Sequence, residues 1–249
     1  MVDVQPIQKK IIGRLLKKYV SKLPEDAIVL DIGCGLGDSL KIVSKQRKVI
    51  GLEINPDIAK IANFTIKNPL FHGVVVYDGT NFPFKDRMFN MVYLIEVIEH
   101  VEDDEKFLSE CFRVLKNGGY LILTTPNREK EPLNPNIHHG HVRHYTKEEI
   151  SNKLMSVGFT IDKVYWRFHP LCSFLDFILT QVGRKFLKKD SYLGHNVSIY
   201  QPKTKISTLI LSIYKLIIDP ILTFLVLLEF EILKIKNTGK NMIIIARKV

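Results

Sequence analysis

The sequence is poor in cysteine. Cys34, Cys111 and Cys172 are odd in number and far apart, so they frame neither a disulfide scaffold nor a C-x-x-C metal site. That usage fits a reducing compartment and predicts a cytoplasmic location. Long uninterrupted apolar runs are missing too. The most apolar stretch, 206–233, is interrupted by Lys215, Asp219 and Pro220. A charge at the centre of a membrane span costs about 2.5–3.5 kcal/mol, so a single crossing is not expected. The opening residues interleave apolar positions with Gln8, Lys9, Lys10 and Arg14, unlike a secretory leader.

What is present predicts one large α/β domain. The 249 residues are 46% hydrophobic, enough for a sizeable core. The net charge is +10, and half of that excess falls in residues 169–240, with ten Lys/Arg and five Asp/Glu. Such a segment suits an anionic membrane surface, a nucleic acid or a solvated basic face. Ile7, Ile11, Ile12, Leu15, Leu16 and Tyr19 recur at helical spacing and predict an opening helix, ended by Pro24. Strands are predicted at Ala27–Ile32, Val49–Glu53, Gly73–Tyr77, Phe89–Ile95, Tyr120–Thr125 and Phe159–Arg167. Between them, Asn55-Pro56 reads as a helix start, Asn117-Gly118-Gly119 as a helix stop, and Thr146 to Glu149 as a capping box. Strands alternating with helices predict a doubly wound, mostly parallel sheet. The pattern lapses over 169–240, and Asn241–Ala246 returns as a terminal strand.

The most informative segment is Val29-Leu30-Asp31-Ile32-Gly33-Cys34-Gly35-Leu36-Gly37. Glu53 closes a second apolar run 22 residues after Asp31. Alternating glycines let a backbone approach a nucleoside, and a carboxylate so placed can grip its ribose. The dinucleotide fingerprint G-x-G-x-x-G/A needs Gly or Ala at 38, where Asp38 stands. A pyrophosphate also wants a helix N-terminus free of negative charge, whereas Asp31 and Asp38 flank this loop. S-adenosylmethionine has no phosphate; it carries a sulfonium and an ammonium. The acidic loop therefore favours it over NAD. Cys34 reads as a small residue that fits the turn, not as a nucleophile.

With these residues in order, the chain resembles the class I S-adenosylmethionine-dependent methyltransferases, in the broad group that includes ubiquinone-biosynthesis-like O-methyltransferases. The matching stretches are VLDIGCGLG, GLEIN, YDGTNFPF, FNMVYLIEVIEHVED, FRVLKNGGYLILTTPN and HVRHYTKEEISNKLMSVGF, within residues 27–168. The resemblance implies a Rossmann-like sheet of seven strands, the last antiparallel, which suits Asn241–Ala246. It also implies roles. Asp31 and the loop Gly33, Cys34, Gly35 and Gly37 would hold the methionine end. Glu53 would bind the ribose hydroxyls, Ile54 would pack on adenine, and Asp78 would meet the adenine amino group beside Gly79. Glu96 would line the methionine pocket. Glu96, Glu99 and His100 form E-x-x-E-H, a string tied to a divalent metal in the ubiquinone-type enzymes; no metal ligand is assigned here.

The acceptor side is read from the residues. His138, His139, His141 and His144 crowd the loop Pro126 to Tyr145, which follows the fifth strand. Ligands of open α/β sheets bind at the carboxyl ends of strands. His141 or His144 is thus a candidate general base, and Arg143 a candidate partner for an anionic part of the acceptor. The competing reading makes HVRHYT a structural hinge. The expected parts are an N-terminal helix over 1–25, a cofactor-binding core over 26–168, an apolar helical cap over 169–240 and a terminal strand over 241–249. An apolar cap with a basic rim (Arg184, Lys185, Lys188, Lys189, Lys203 and Lys205) predicts a small or lipid-like acceptor and a peripheral contact with an anionic membrane. Two other readings compete: a non-catalytic cofactor-binding or membrane scaffold, and a nucleic-acid methyltransferase. Against the second, no N-P-P-Y string follows the fourth strand.

Overall fold

Seven strands lie in the order β3-β2-β1-β4-β5-β9-β6, and that order dictates where a ligand can sit. In the computed structural model, residues 7–134, 140–167, 187–192, 198–202 and 219–249 are described. The strands are β1 (Ile28–Ile32), β2 (Lys48–Glu53), β3 (Phe71–Val76), β4 (Phe89–Ile95), β5 (Leu115–Pro126), β6 (Phe159–Arg167) and β9 (Asn241–Lys248). Pairing is parallel from β3 through β5, while β9 runs antiparallel to both β5 and β6. The order reverses between β1 and β4, so a crevice opens at their carboxyl ends. Because β9 is reversed, its first residue, Asn241, pairs with Pro126 and Arg167, the last residues of β5 and β6.

Helices cover both faces. They are α1 (Ile7–Val20), α2 (Asp38–Val43), α3 (Pro56–Thr65), α4 (Asp104–Val114), α5 (Lys147–Val157) and α6 (Asp219–Leu233). The central strands are buried on both sides, as parallel sheets require. Leu16, Tyr19, Val29, Tyr93, Ile243 and Phe230 belong to one core; Leu30, Ile32, Leu94, Leu108, Leu123 and Leu154 belong to the other. The predicted caps form. Asn55 accepts from Asp57 N (2.9 Å) and Ile58 N (3.2 Å) at the head of α3, with Pro56 at its first position. Thr146 and Glu149 cap each other's backbone at α5, and Gly158, at φ +110, closes it.

Two boundaries differ from expectation. The glycine turn leads the sequence into a helix expected over roughly 38–46, and α2 ends earlier, at Val43. Asn117-Gly118-Gly119 does not end a helix: β5 starts at Leu115, directly after α4. The pairing with β4 slips between Phe89 and Met91, and the glycines occupy that irregularity, Gly118 at φ +74. The predicted cap lies largely outside the described residues, including Phe174–Leu179, Cys172 and the flanking Arg184, Lys185, Lys203 and Lys205. Its described parts are α6 and a two-stranded antiparallel hairpin, β7 (Leu187–Tyr192) with β8 (Ser198–Pro202). Sequence periodicity had not suggested the hairpin. Among the described residues, no helix is long and apolar enough to cross a membrane.

The turn before β9 is built against β6. A Cβ at Gly239 would lie 2.3 Å from the Arg167 carbonyl oxygen and 2.8 Å from its nitrogen. Backbone atoms cannot swing aside, so Gly239→Ala is expected to lower stability by about 2 kcal/mol or more. Thermal unfolding followed by circular dichroism should show a fall of several degrees; an unchanged midpoint would reject this account of the turn.

Candidate active site

The loop after β1 folds back over β2: Gly33 N and Cys34 N both donate to the Leu52 carbonyl, at 2.8 and 3.2 Å. Gly33, Gly35 and Gly37 all have positive φ. Their surroundings differ. A Cβ would lie 2.6 Å from Val97 at Gly33 and 2.5 Å from Ile66 at Gly37, but at Gly35 it would meet nothing within 4 Å. Gly35 thus combines a left-handed backbone with open space above it, which is what a ligand lying on the loop needs. Cys34 packs its thiol toward Gly51, and burial, aided by the carboxylates of Asp31 and Glu53, pushes its pKa far up. It is not a thiolate nucleophile.

Glu53 anchors this loop. Its Oε2 accepts from Gly35 N (2.9 Å) and its Oε1 from Asn55 N (3.0 Å). Each oxygen keeps capacity for one further donor, such as a hydroxyl. The next residue, Ile54, is 62% exposed. A Cβ at Gly79 would touch Ile54 at 3.9 Å, so the two residues face each other across a narrow apolar step. Asp78 organises that step through its own turn. It accepts from Asn81 N (2.9 Å), Thr80 N (2.8 Å) and Thr80 Oγ1 (2.9 Å). These bonds, that from Asn81 N foremost, hold its carboxyl well below the usual range.

Asp31 is sealed beneath the loop. Its Oδ2 accepts from Ser39 Oγ and, at 2.9 Å, from Tyr93 OH. Burial raises its pKa to about 7; the Ser39 and Tyr93 bonds oppose the shift and the Glu53 charge adds to it. Asp38 pairs with Lys9 and, at 3.6 Å, with Lys41. The negative potential of the loop therefore comes from Asp31 and Glu53, and Asp38 adds less than the sequence suggested.

At the end of β4, Glu96 has φ +55, a conformation few non-glycine residues adopt. Three neighbouring strands hold it there. Its Oε1 accepts from Thr124 Oγ1 (2.6 Å) and Arg167 Nη2 (2.5 Å), and its Oε2 from Asn241 Nδ2 (2.7 Å). Its own N–H donates to Thr124 Oγ1 at 3.0 Å. Thr124, Arg167 and Asn241 were not anticipated. Arg167 and Asn241 close one predicted strand and open another at the carboxyl edge, so the topology was the signal that could have found them.

The histidine loop approaches the same edge. Val142 N donates to the Glu99 carbonyl at 2.7 Å. Glu99 itself is fully buried, and neither carboxyl oxygen has a hydrogen-bond partner among the described residues. Burial, reinforced by the Glu96 carboxylate, pushes its pKa well up. Glu99, His100 and His141 each offer a ligand atom within 4.8 Å of the others. His138 and His139 lie outside the described residues. His144 Nδ1 is 2.6 Å from the Glu131 carbonyl, and His144 Nε2 is 2.8 Å from His141 Nδ1. A carbonyl only accepts, so His144 Nδ1 carries a proton; while His144 is neutral, its Nε2 accepts from His141 Nδ1–H. This network assigns the tautomers and leaves Nε2 as the basic nitrogen of a neutral His141. Arg143 is placed differently: its guanidinium donates to Asp104 (2.9 Å) and to the Glu102 carbonyl (2.5 Å). Tyr145 and Lys153 bind the same Asp104 carboxylate. That arrangement makes Arg143 an anchor of the loop on α4.

Residues 30–123 match the family model described as "Methyltransferase domain". A "Probable S-adenosylmethionine-dependent methyltransferase" of Mycolicibacterium smegmatis is 34% identical over 151 residues, 57% of this chain and 55% of that protein. The norajmaline N-methyltransferase of Rauvolfia serpentina is 37% identical over 118 residues, covering 45% and 40% of the two chains. The 2-methyl-6-phytyl-1,4-hydroquinone methyltransferase of a Synechocystis species is 33% identical over 117 residues, covering 45% and 37%. The chain thus spans about half or less of the length of these curated relatives. Among solved structures, geranyl diphosphate C-methyltransferase from Streptomyces coelicolor shares the fold at 15% identity, with a TM-score of 0.61 over 97% of this chain and 79% of that one. Residues 30–123 are thus similar in sequence to a methyltransferase domain, and the chain has the Rossmann-like methyltransferase fold.

The state of Asp31 is open to measurement. Its raised pKa means that its stabilising contribution is full below about pH 4 and is lost as pH rises through about 7. The stability of Asp31→Asn minus that of the wild type should therefore grow by about 3 kcal/mol between pH 5 and pH 8, read by urea unfolding without ligand. A gap that does not change with pH would show that Asp31 titrates normally.

Proposed function

We propose that the chain transfers a methyl group from S-adenosylmethionine to a small or lipid-like acceptor, with a hydroxyl as the methylated group. The observation that carries the cofactor side is Gly35: left-handed, open above, and tied by its N–H to Glu53. The residues fit the cofactor. Glu53 would take the ribose hydroxyls, Ile54 and Gly79 the adenine faces, and Asp31 with Glu96 the ammonium end. Asp78 would shape the adenine step and present its carboxylate beside it. When bound, S-adenosylmethionine supplies a methyl on a sulfonium that becomes a neutral thioether.

The chain's own work is alignment and proton removal. Alignment can account for about 7–11 kcal/mol of a barrier in favourable systems. His141 receives the acceptor proton at Nε2, while His144, held by the Glu131 carbonyl, keeps the His141 ring in the required tautomer. His144 is thus a positioning residue and His141 the base. The acceptor class rests on the apolar, basic character of the late segment. Relatives that act on a phytyl hydroquinone and on geranyl diphosphate support it. Peripheral contact with an anionic membrane would bring such an acceptor to the enzyme.

Calorimetry with S-adenosylhomocysteine should show binding to the wild type and a loss of at least tenfold in Glu53→Ala; equal affinities would defeat the cofactor assignment. In labelled-methyl transfer to prenylated and simple quinols, His141→Ala should lower kcat by roughly 10²–10⁴-fold with S-adenosylhomocysteine affinity retained. His144→Ala should lose less and shift the pH profile. Full transfer by His141→Ala would remove it as the base, and no transfer to any acceptor by the wild type would favour a binding scaffold.

A further inference from the structure

Helix α6 carries apolar side chains on both of its faces. Val226 and Phe230 are buried against α1 and β6. On the other face, Ile221, Phe224, Leu225, Leu228 and Ile232 are between 37% and 65% exposed. At 100° per residue these five fall within an arc of about 100°, a continuous stripe. Ile235, just past the helix, is 71% exposed and extends it. A stripe of this kind marks an interaction surface.

Its neighbour identifies the partner. α1 packs beside α6, with Lys10 Nζ donating to Thr223 Oγ1 at 2.7 Å. The exposed residues of α1 are Lys9, Arg14, Lys17 and Lys18, and the helix contains no acidic residue. A shallow groove between the two helices has an apolar floor of Ile11, Leu15 and Phe230 and a rim that includes Arg14, Lys18 and Lys234. Glu229 and Glu231 flank the stripe. Glu231 pairs with Lys234, and that pairing, with the charges of Arg14 and Lys18, lowers its pKa. An apolar helix face beside a basic helix face is the composition of a surface that lies in an anionic lipid interface. The 15 described residues of α6 make about 22 Å of helix, short of the roughly 30 Å hydrocarbon core, so it would lie along the surface. A second copy meeting the same face two-fold would bring the two basic α1 helices together, which like charge opposes.

We infer that the α6 stripe and the outer face of α1 form a docking surface for an anionic phospholipid bilayer. The surface connects directly to the candidate site. The turn after α6 bonds to β6 through Trp166 N and the Lys234 carbonyl (2.8 Å), and β9 then begins at Asn241, the partner of Glu96. An apolar acceptor leaving the bilayer at α6 would be beside the carboxyl edge. The docking surface supports the lipid-like acceptor reading but does not depend on it.

The test is co-sedimentation of the full chain with vesicles of phosphatidylcholine alone and with 3:1 phosphatidylcholine to phosphatidylglycerol (roughly the anionic share that engages basic segments). Binding is expected to the anionic vesicles, falling at least tenfold in 0.5 M salt (roughly four-fold shorter screening than at low ionic strength). Phe224→Glu/Leu228→Glu should lose it by at least tenfold, and Lys17→Glu/Lys18→Glu should weaken it. All variants should keep wild-type S-adenosylhomocysteine affinity, which separates loss of docking from misfolding and from failure of the cofactor reading. No binding of wild type to anionic vesicles at low salt overturns the inference. So does binding that Phe224→Glu/Leu228→Glu leaves intact. A wild-type dimer in light scattering that the same double variant dissociates, without vesicle binding, would assign the stripe to self-association instead.

Discussion

The carboxylate of Glu96 ties together the edge of the sheet on which every candidate group depends. It sits at the end of β4 in a left-handed conformation and accepts hydrogen bonds from β5, β6 and β9. Only the reversal of β9 makes this possible, since it delivers Asn241 to the edge where the neighbouring strands end. The Arg167 side chain is 5% exposed and that of Glu96 is 34% exposed, so the pair is partly desolvated. Removing one member of such a pair leaves a charge stranded, which is generally more damaging than the pair is stabilising. The strained backbone of Glu96 thus persists because the surrounding strands over-determine it.

Carboxyl groups at this edge occupy distinct electrostatic states. Glu53 accepts two backbone N–H bonds, and Asp78 accepts two more together with the Thr80 hydroxyl, which favour the charged form of Asp78. Asp31 and Glu99 are buried, and both are shifted toward the protonated form. A cationic ligand end entering beside Asp31 would favour its charged form, so binding and ionisation are linked there. Glu99 lies deep: its carbonyl anchors the histidine loop, and among the described residues its carboxyl oxygens have no hydrogen-bond partner.

Most of the fold was legible because parallel strands buried on both faces give short apolar runs with sharp ends. The glycine loop, Glu53, the Asn55 cap and the Thr146 capping box were all local signals; both caps form, and Glu53 accepts from the Gly35 N–H. What was not legible is non-local. Arg167 is 71 residues from Glu96, and Asn241 is 145 residues from it, so only the strand order relates them. The charge of Asp38 was visible, but its pairing with Lys9, from a different helix, was not. Arg143 looked available for a ligand because Asp104, 39 residues earlier, gives no local sign of claiming it. Gly118 and Gly119 carried a helix-stop signal, yet they lie in the irregularity of the β4–β5 pairing.

The histidine pair shows how position and chemistry separate. His141 and His144 are both imidazoles, three residues apart, and the sequence treats them alike. The Glu131 carbonyl breaks the symmetry. It can only accept, so it fixes the proton on His144 Nδ1, and while His144 is neutral the 2.8 Å contact places a proton on His141 Nδ1 as well. His144 is 2% exposed and holds its neighbour, while the His141 ring lies beside Glu99 and His100. One backbone carbonyl, set by the fold of the loop, therefore distinguishes two histidines that the sequence treats alike.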